Sequence, residues 1–387
     1  MTTVSDRLRR RRLVSALRAN GTLRSPRVIA ALSAVPRSRF VPDGVSAEDA
    51  YADHALVLTA DSAGKPTSTI SQPSMVALML EQLHAQPGHR VLEVGTASGY
   101  TAALLAGLVR PSGSVVTIEL DPHLGEAAAG RLAARWPEVS VQAGDGWCGA
   151  PDAAPFDRIH VTVGVDDLSP HWLDQLGEGG VLVAPIMLRP GVEVSVAFER
   201  RGDELVSRSV RPCGFVRLRG PHAGPSTFVT LGETDRVLAD WADEPLAQHL
   251  REVLARAPVD AGPVGPLAEG WAALLALEQP YPLAVATGEP PPGAVRPGLY
   301  DPVGGGVAVV DEGRLLSYGD QGAVRRLGDQ IAGGAPLRQP QLHVTARPRD
   351  GAFRDDAFRD GAFRDDEPAA ARWTVHKQHF SFRINPG

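Results

Sequence analysis

From residue 90 to about residue 200 the chain repeats one pattern, a short aliphatic run followed by small residues and a helix-length stretch. Arg90–Val94, Val115–Glu119, Val139–Ala143, Arg158–Val163 and Val181–Pro185 are the strand-like runs, and Tyr100–Leu108 and Leu124–Trp136 are alanine-rich stretches of helical length. Strands separated by helices pair in parallel, because the crossover helix returns each strand beside its predecessor, and both faces of such a sheet are then covered. Val192–Glu199 and Leu205–Val210 instead alternate across Arg201-Gly202-Asp203, which predicts an antiparallel hairpin.

On either side of this core the rhythm changes. Leu8, Leu13 and Leu17, then Val28, Ile29, Leu32 and Val35, fall at helical spacing and are separated by the stop signal Asn20-Gly21, so two short helices are expected. Tyr51 to Ile70 reads as loop and short strand. Ser71-Gln72-Pro73 opens a helix with Ser71 as its N-cap and Val76, Leu80 and Leu83 on one face. Beyond residue 233 the pattern predicts a helix over Val237–Ala257, a region punctuated by proline and glycine, and strands at Val307–Val310, Gln341–Thr345 and Trp373–Ile384. The expected division is an N-terminal helical and loop segment (1–70), a catalytic domain (71–232) and a smaller C-terminal α+β domain (233–387). A length of 387 residues suits more than one core. Ala352-Phe353-Arg354-Asp355 recurs at Ala357 and Ala362; a five-residue spacing fits neither a helix face nor a strand face, so 349–368 reads as a low-complexity loop.

Composition removes several functions. A net charge of -6 argues against a broad phosphate-covering surface, so no nucleic-acid partner is expected. The basic run Arg7 and Arg9 to Arg12 is not followed by the apolar stretch of a signal peptide, and no stretch suits a bilayer, so a cytoplasmic protein without membrane contact is expected. Cys148 and Cys213 have neither metal nor redox spacing; both are expected buried or half-buried, with no metal bound.

The turn after the first strand, Glu93-Val94-Gly95-Thr96-Ala97-Ser98-Gly99-Tyr100, lets a ligand approach the backbone and leaves N–H groups free at a helix start. Many α/β proteins pack a helix on a strand through such a turn. The second strand ends at Glu119, about 20 residues on, where a carboxylate can accept both hydroxyls of a ribose; dinucleotide enzymes share this arrangement. Glu93 on the first strand, and Asp145 in Gly144-Asp145-Gly146, placed to receive an adenine amino group, point instead to S-adenosyl-L-methionine.

These residues carry a resemblance. "PRSRFVP", "TISQPSM", "VLEVGTASGYTAALLA", "GDGW", "PFDRIHVTVG", "LGEGGVLVAPI" and "GFVRLRG", in this order over about Val35 to Gly220, resemble the protein-L-isoaspartate O-methyltransferase family. The resemblance implies a Rossmann-like class I methyltransferase with a mostly parallel seven-stranded sheet, using S-adenosyl-L-methionine and releasing S-adenosyl-L-homocysteine. It implies that Gly95, Thr96, Ser98 and Gly99 line the methionine and ribose side, that Glu119 with Leu120 holds the ribose, and that Asp145 with Gly146 meets the adenine. Ala97 replaces a glycine usual in the family. Ser71 matches the serine that contacts the acceptor carboxylate, a role that stands beside its reading as a helix cap, with Thr69, Ile70 and Gln72 as further substrate contacts. Arg217 stands where the family often has proline; it and Arg219 read either as ligands of a substrate carboxylate or as solvated charges. His160 matches a family histidine, although a lone strand histidine reads as a core residue, and Asp53-His54 is a candidate wall.

A carboxylate is already ionised at neutral pH, so methylating it needs no general base. Alignment and exclusion of water supply roughly 7–11 kcal/mol of such a barrier. The residues after 233 resemble extensions of actinobacterial homologues that modify ribosomally made peptides (lanthipeptides, lasso peptides, graspetides). There an aspartate is esterified and its neighbouring backbone nitrogen closes a succinimide, which opens to isoaspartate. Methylation of such a precursor peptide is therefore the first expectation, repair of isoaspartate in damaged proteins the alternative, and a peptide-binding protein with a degenerate pocket a third. The C-terminal domain is expected to recruit substrate, against the plainer reading of a structural cap.

Overall fold

The computed structural model describes residues 4–62, 64–224, 228–231, 235–239, 241–267, 270–286, 295–333, 342–349 and 371–386. The Ala-Phe-Arg-Asp repeat and most of the proline-rich stretch before Pro297 lie outside these residues. The chain forms two compact units, Met1–Ile186 with Ser195–Ser209 and Phe215–Ala223, and Met187–Val194 with Val210–Gly214 and Gly224–Gly387.

The first unit opens with α1 (Val4–Ala19) and α2 (Pro26–Ala34). Leu13, Leu17, Val28 and Leu32 are buried as their spacing predicts, whereas Leu8 stays 49% exposed and is no part of that face. The stretch read as loop and short strand is a hairpin of β1 (Leu56–Ala60) and β2 (Pro66–Ile70), paired antiparallel. Then follow α3 (Pro73–Leu83), β3 (Arg90–Val94), α4 (Tyr100–Val109), β4 (Ser114–Glu119), α5 (Pro122–Leu132), β5 (Val139–Ala143), β6 (Phe156–Val161), α6 (Pro170–Gln175), β7 (Leu176–Arg189), β8 (Val192–Arg201) and β9 (Glu204–Pro212). Seven of these strands lie in the hydrogen-bonded order β9-β8-β7-β6-β3-β4-β5. The pairs β3/β4, β3/β6, β4/β5 and β6/β7 are parallel. This is the parallel α/β sheet that the alternation predicted, in the Rossmann-like class that the resemblance implied.

Two details differ from expectation. α5 stops at Leu132, four residues before Trp136, and β7 begins five residues before Val181, at Leu176. Helix α4 is apolar nearly all round because it is packed on all sides: Leu104 and Leu105 are fully buried and Leu108 is 2% exposed. Each such leucine stabilises the fold by about 1.5–3 kcal/mol relative to leaving it in water. Val91, Leu104, Leu105, Val181 and Val183 belong to one core with Leu17, Leu32, Leu80 and Leu83. Cys148 is exposed, contrary to expectation, and Cys213 is half-buried.

In the second unit, strands β10 (Phe228–Thr230), β11 (Arg236–Leu238), β12 (Val259–Pro263), β13 (Pro282–Ala286), β14 (Val295–Tyr300), β15 (Val307–Asp311) and β16 (Arg314–Tyr318) form an antiparallel sheet in the order β10-β11-β13-β14-β15-β16-β12. Helices α7 (Glu244–Leu254), α8 (Trp271–Glu278) and α9 (Gly322–Gly333) accompany it, and β17 (Leu342–Pro348), β18 (Trp373–His376) and β19 (Phe380–Pro386) pair in the order β18-β19-β17. The single helix expected over Val237–Ala257 is thus a strand followed by a shorter helix. Asp243 starts that helix, its carboxylate accepting from the Leu246 N–H at 3.0 Å. The run expected over Trp373–Ile384 is two strands that turn at Lys377-Gln378-His379.

Candidate active site

The cleft of the first unit is built at the ends of the parallel strands, where α/β sheets place ligands. Gly95 leaves β3 with φ +96, and an added Cβ would lie 2.6 Å from Thr162 Oγ1. That hydroxyl donates to the carbonyls of Gly95 (2.7 Å) and Val94 (2.9 Å), so the turn is fixed from the neighbouring strand and has no room for a side chain. Ala97 takes φ +50 without being glycine. Its N–H donates to Glu119 Oε2 at 2.7 Å, and Glu119 Oε1 accepts the N–H of Asp121 at 3.1 Å. The carboxylate at the tip of β4 is therefore held by backbone on both sides.

Behind the turn runs a polar chain. Thr96 Oγ1 and Thr117 Oγ1 are 2.6 Å apart, and Thr117 Oγ1 donates to Glu93 Oε2 at 2.6 Å. Glu93 is fully buried, and desolvation pushes its carboxyl up to about 8, against the Thr117 hydrogen bond and with a smaller contribution from the Glu119 charge. It is a neutral acid at neutral pH. His160 lies directly beside it in register on β6, is 1% exposed, and has its imidazole pushed down to about 4 by desolvation.

The facing wall is Thr67 to Ser71, the end of β2 and the entry to α3. Arg37, completely buried, donates from Nη1 to the Ser71 carbonyl at 2.9 Å, and its guanidinium lies 5.3 Å from the centre of the Tyr100 ring. Asp53 Oδ1 accepts the Ser74 N–H at 2.8 Å, and its Oδ2 accepts from Gln72 Nε2 at 3.3 Å. A third wall is the segment Val216 to Arg219, fixed to the turn after β6 by Gly164 N–H to Val216 O (2.9 Å) and Leu218 N–H to Gly164 O (2.8 Å).

The glycine turn with the Glu119 carboxylate, the serine-bearing Thr67–Ser71 segment and the Val216–Arg219 segment thus surround one cleft. The family model described as protein-L-isoaspartate(D-aspartate) O-methyltransferase matches residues 8–222, which take in all three walls. The chain belongs to this family. A relative from Methanopyrus kandleri, a protein-L-isoaspartate O-methyltransferase, is 41% identical over 213 residues, covering 54% of this chain and 91% of its own length. One of the same name from Hyperthermus butylicus is 42% identical over 222 residues, covering 55% and 89%. A solved structure named protein-L-isoaspartate O-methyltransferase is 25% identical with a TM-score of 0.52, and the match covers 87% of this chain and 96% of that one.

This methyltransferase is an S-adenosyl-L-methionine-dependent O-methyltransferase, and its cleft suits that cofactor. The small residues Gly95, Thr96, Ala97 and Ser98 let the backbone of the turn line the cleft, and the backbone-held Glu119 carboxylate faces the same space. The cofactor supplies a methyl group made electrophilic by its sulfonium.

Of the residues singled out in the sequence, Thr69, Ile70, Ser71, Gly95, Thr96, Ser98, Glu119, Leu120, Gly146, Arg217 and Arg219 line this cleft together. Glu93, Gly99, Gln72 and Asp145 are not among its lining residues, nor are Asp53, His54 and His160. Glu93 lies beneath the turn, because its strand position points it into the core beside Thr117. Gly99, with φ +85, serves as the N-cap residue of α4. Gln72 turns to Asp53. Asp145 spends Oδ1 on the Trp147 N–H (2.9 Å), while its Oδ2 is 2.9 Å from His222 Nδ1. The His222 ring stacks on Trp147 with centroids 5.5 Å apart, so the carboxylate expected to receive an adenine amino group is met by a histidine instead.

The N-cap expectation for Ser71 is also corrected. Gln72 holds that position without a side-chain cap, and Asp53 caps α3 from a distant loop, leaving the Ser71 side chain outside that task. Arg37, Asp166 and His222 escaped the sequence reading. Arg37 had one visible signal, its place in the "PRSRFVP" run that carries the family resemblance; the other two are set by chain crossings that no local pattern reports.

Among the described residues no helix is long and apolar enough to cross a membrane.

Proposed function

We propose that this methyltransferase esterifies the free carboxylate of isoaspartyl residues in proteins and peptides, the repair reaction. One observation carries the reading: the glycine turn with Glu119 and the Thr69–Ser71 segment are walls of a single cleft, so an acceptor carboxylate can meet a bound methyl donor away from water. Ser71, its carbonyl anchored by Arg37, orients one carboxylate oxygen with its hydroxyl; Thr69 and Ile70 shape the approach, and Arg217 and Arg219 supply positive charge on the facing segment. Glu119 holds the ribose and Gly146 borders the adenine, with Asp145 set behind it under His222. Holding two reactants in line is what such a site contributes, since the carboxylate is its own nucleophile. The neutral ester then invites attack by the adjacent backbone nitrogen, giving a succinimide without a further catalytic group.

Methylation of an aspartate in a ribosomally made, modified peptide is the second reading, and it rests on the residues after 233. The solved structure named protein-L-isoaspartate O-methyltransferase matches 87% of this chain, more than the catalytic part alone, so an extension of this size does not separate the two readings. That similarity supports repair. The second unit recruits large substrates in the same proposal: deleting residues beyond Thr234 should lower kcat/KM for a damaged whole protein more than for a short isoaspartyl peptide.

The test offers three acceptors at equal concentration: a linear isoaspartyl peptide, its aspartyl isomer and a cyclised aspartyl peptide. Methylation of the isoaspartyl peptide alone supports repair; methylation of the cyclised aspartyl peptide alone replaces repair with peptide tailoring.

A further inference from the structure

Arg217, which lines the same cleft, meets Asp166 just behind the wall. Asp166, 9% exposed, sits in the turn that follows β6, two residues beyond the Gly164 that pins the Val216–Arg219 segment. Arg217 Nη2 touches Asp166 Oδ1, and the two side chains are 18% and 9% exposed. The contact is an ion pair without hydrogen-bond geometry: Arg217 Nη1 and Nη2 and Asp166 Oδ1 are all buried and lack a hydrogen-bond partner. A guanidinium presents a planar fork of N–H donors that suits the two oxygens of a carboxylate, and leaving those on Nη1 and Nη2 buried without a hydrogen bond is costly. Two strongly hydrated groups have thus been taken out of water beside the acceptor wall without the geometry that would repay them.

We propose that Asp166 is a resident stand-in for the acceptor carboxylate, and that Arg217 exchanges it for substrate. This rests on the carboxyl-methylation reading and deepens it by assigning what reads the acceptor's charge. The acceptor carboxylate takes the fork of Arg217. Its oxygen then bonds the methyl carbon as the carbon–sulfur bond breaks, sulfur keeping the electron pair; no proton moves, and the acceptor loses its negative charge. Arg217 has no anion left to hold and returns to Asp166, which favours departure of the neutral ester. Arg217 is therefore a specificity-determining residue for anionic acceptors, and Asp166 a positioning residue that competes with them.

Binding, not turnover, tests this. Titrate the S-adenosyl-L-homocysteine complex calorimetrically with an isoaspartyl peptide and with the same peptide carrying isoasparagine, a neutral carboxamide of the same shape. The wild-type complex should prefer the acid by about ten- to hundredfold, the worth of a hydrogen-bonded charge. Arg217→Gln should bring that ratio close to one with S-adenosyl-L-homocysteine affinity unchanged, and Asp166→Asn, which frees the guanidinium, should tighten the acid several-fold and leave the amide where it was. If the wild type binds neither peptide, the isoaspartyl reading fails. If the wild type prefers the acid and Arg217→Gln keeps that preference, or if Asp166→Asn weakens the acid, the exchange is wrong. Should Arg217→Gln not fold, Asp166→Asn decides alone.

Discussion

Arg37 Nη1 donates a 2.9 Å hydrogen bond to the carbonyl oxygen of Ser71, joining the N-terminal motif to the acceptor wall across 34 positions of sequence. The guanidinium is completely buried against Tyr100, so it acts as a rigid post for the loop that carries the serine. Arg37→Lys keeps a charge but loses the planar fork. The expected outcome is a kcat for an isoaspartyl peptide lower by about ten- to hundredfold, since small misplacements at such a site cost that much. Binding of S-adenosyl-L-homocysteine should be unchanged, and an equal loss of both would show that Arg37 serves the whole fold.

Glu93 and His160 sit side by side and give opposite pH dependences. The Glu93 carboxyl, raised to about 8, favours the folded state while protonated in it, a contribution complete below the ordinary 4.5 and lost as pH rises to about 8. The His160 imidazole, lowered to about 4, contributes above its ordinary 6.5 and loses that contribution as pH falls to about 4. Between 4.5 and 6.5 the two slopes oppose each other, and from 6.5 to about 8 stability falls as pH rises. Urea melts across this range should show a plateau and then a decline. Glu93→Gln should abolish the decline; its survival in that variant would assign it elsewhere.

Ala97 occupies a left-handed conformation, φ +50, that costs a residue with a Cβ about 1 kcal/mol. Ala97→Gly should raise Tm by about 2–4 °C, the shift expected for that energy in a unit of this size. The N–H that holds Glu119 is kept, so cofactor affinity should stay within about twofold. A lower Tm would mean that the entropy of the unfolded glycine outweighs the relief.

Gly95 makes the contrary case. Its added methyl would lie 2.6 Å from Thr162 Oγ1, an atom locked by two hydrogen bonds. Gly95→Ala should weaken S-adenosyl-L-homocysteine binding by at least about tenfold, read by calorimetry, and unchanged affinity would remove this turn from the cofactor site.

Much of this was legible in the residues themselves. The parallel strands announce themselves because a strand buried on both faces is mostly aliphatic, as Val91, Leu92 and Val94 are around Glu93. The glycine turn and Glu119 are local features at strand ends, which is why their place in the cleft could be foreseen. What escaped was decided by distant crossings: Asp53 capping α3, Arg37 under Ser71, His222 over Trp147. The helix expected from Val237 became a strand and a shorter helix because Val237 and Leu238 pair with β13, a partner that helical spacing cannot reveal. Glu93 looked like a ligand because it is acidic and near the turn, yet the alternation of the strand directs it inward.

The most direct test of carboxyl methylation in this cleft is to incubate the enzyme with methyl-labelled S-adenosyl-L-methionine and an isoaspartyl peptide, then treat the product with mild base. Label on the peptide that base releases as volatile methanol, and that is lost in Glu119→Ala, is the predicted result, because only an ester hydrolyses in that way. Label that survives base, or transfer undiminished in Glu119→Ala, would contradict it.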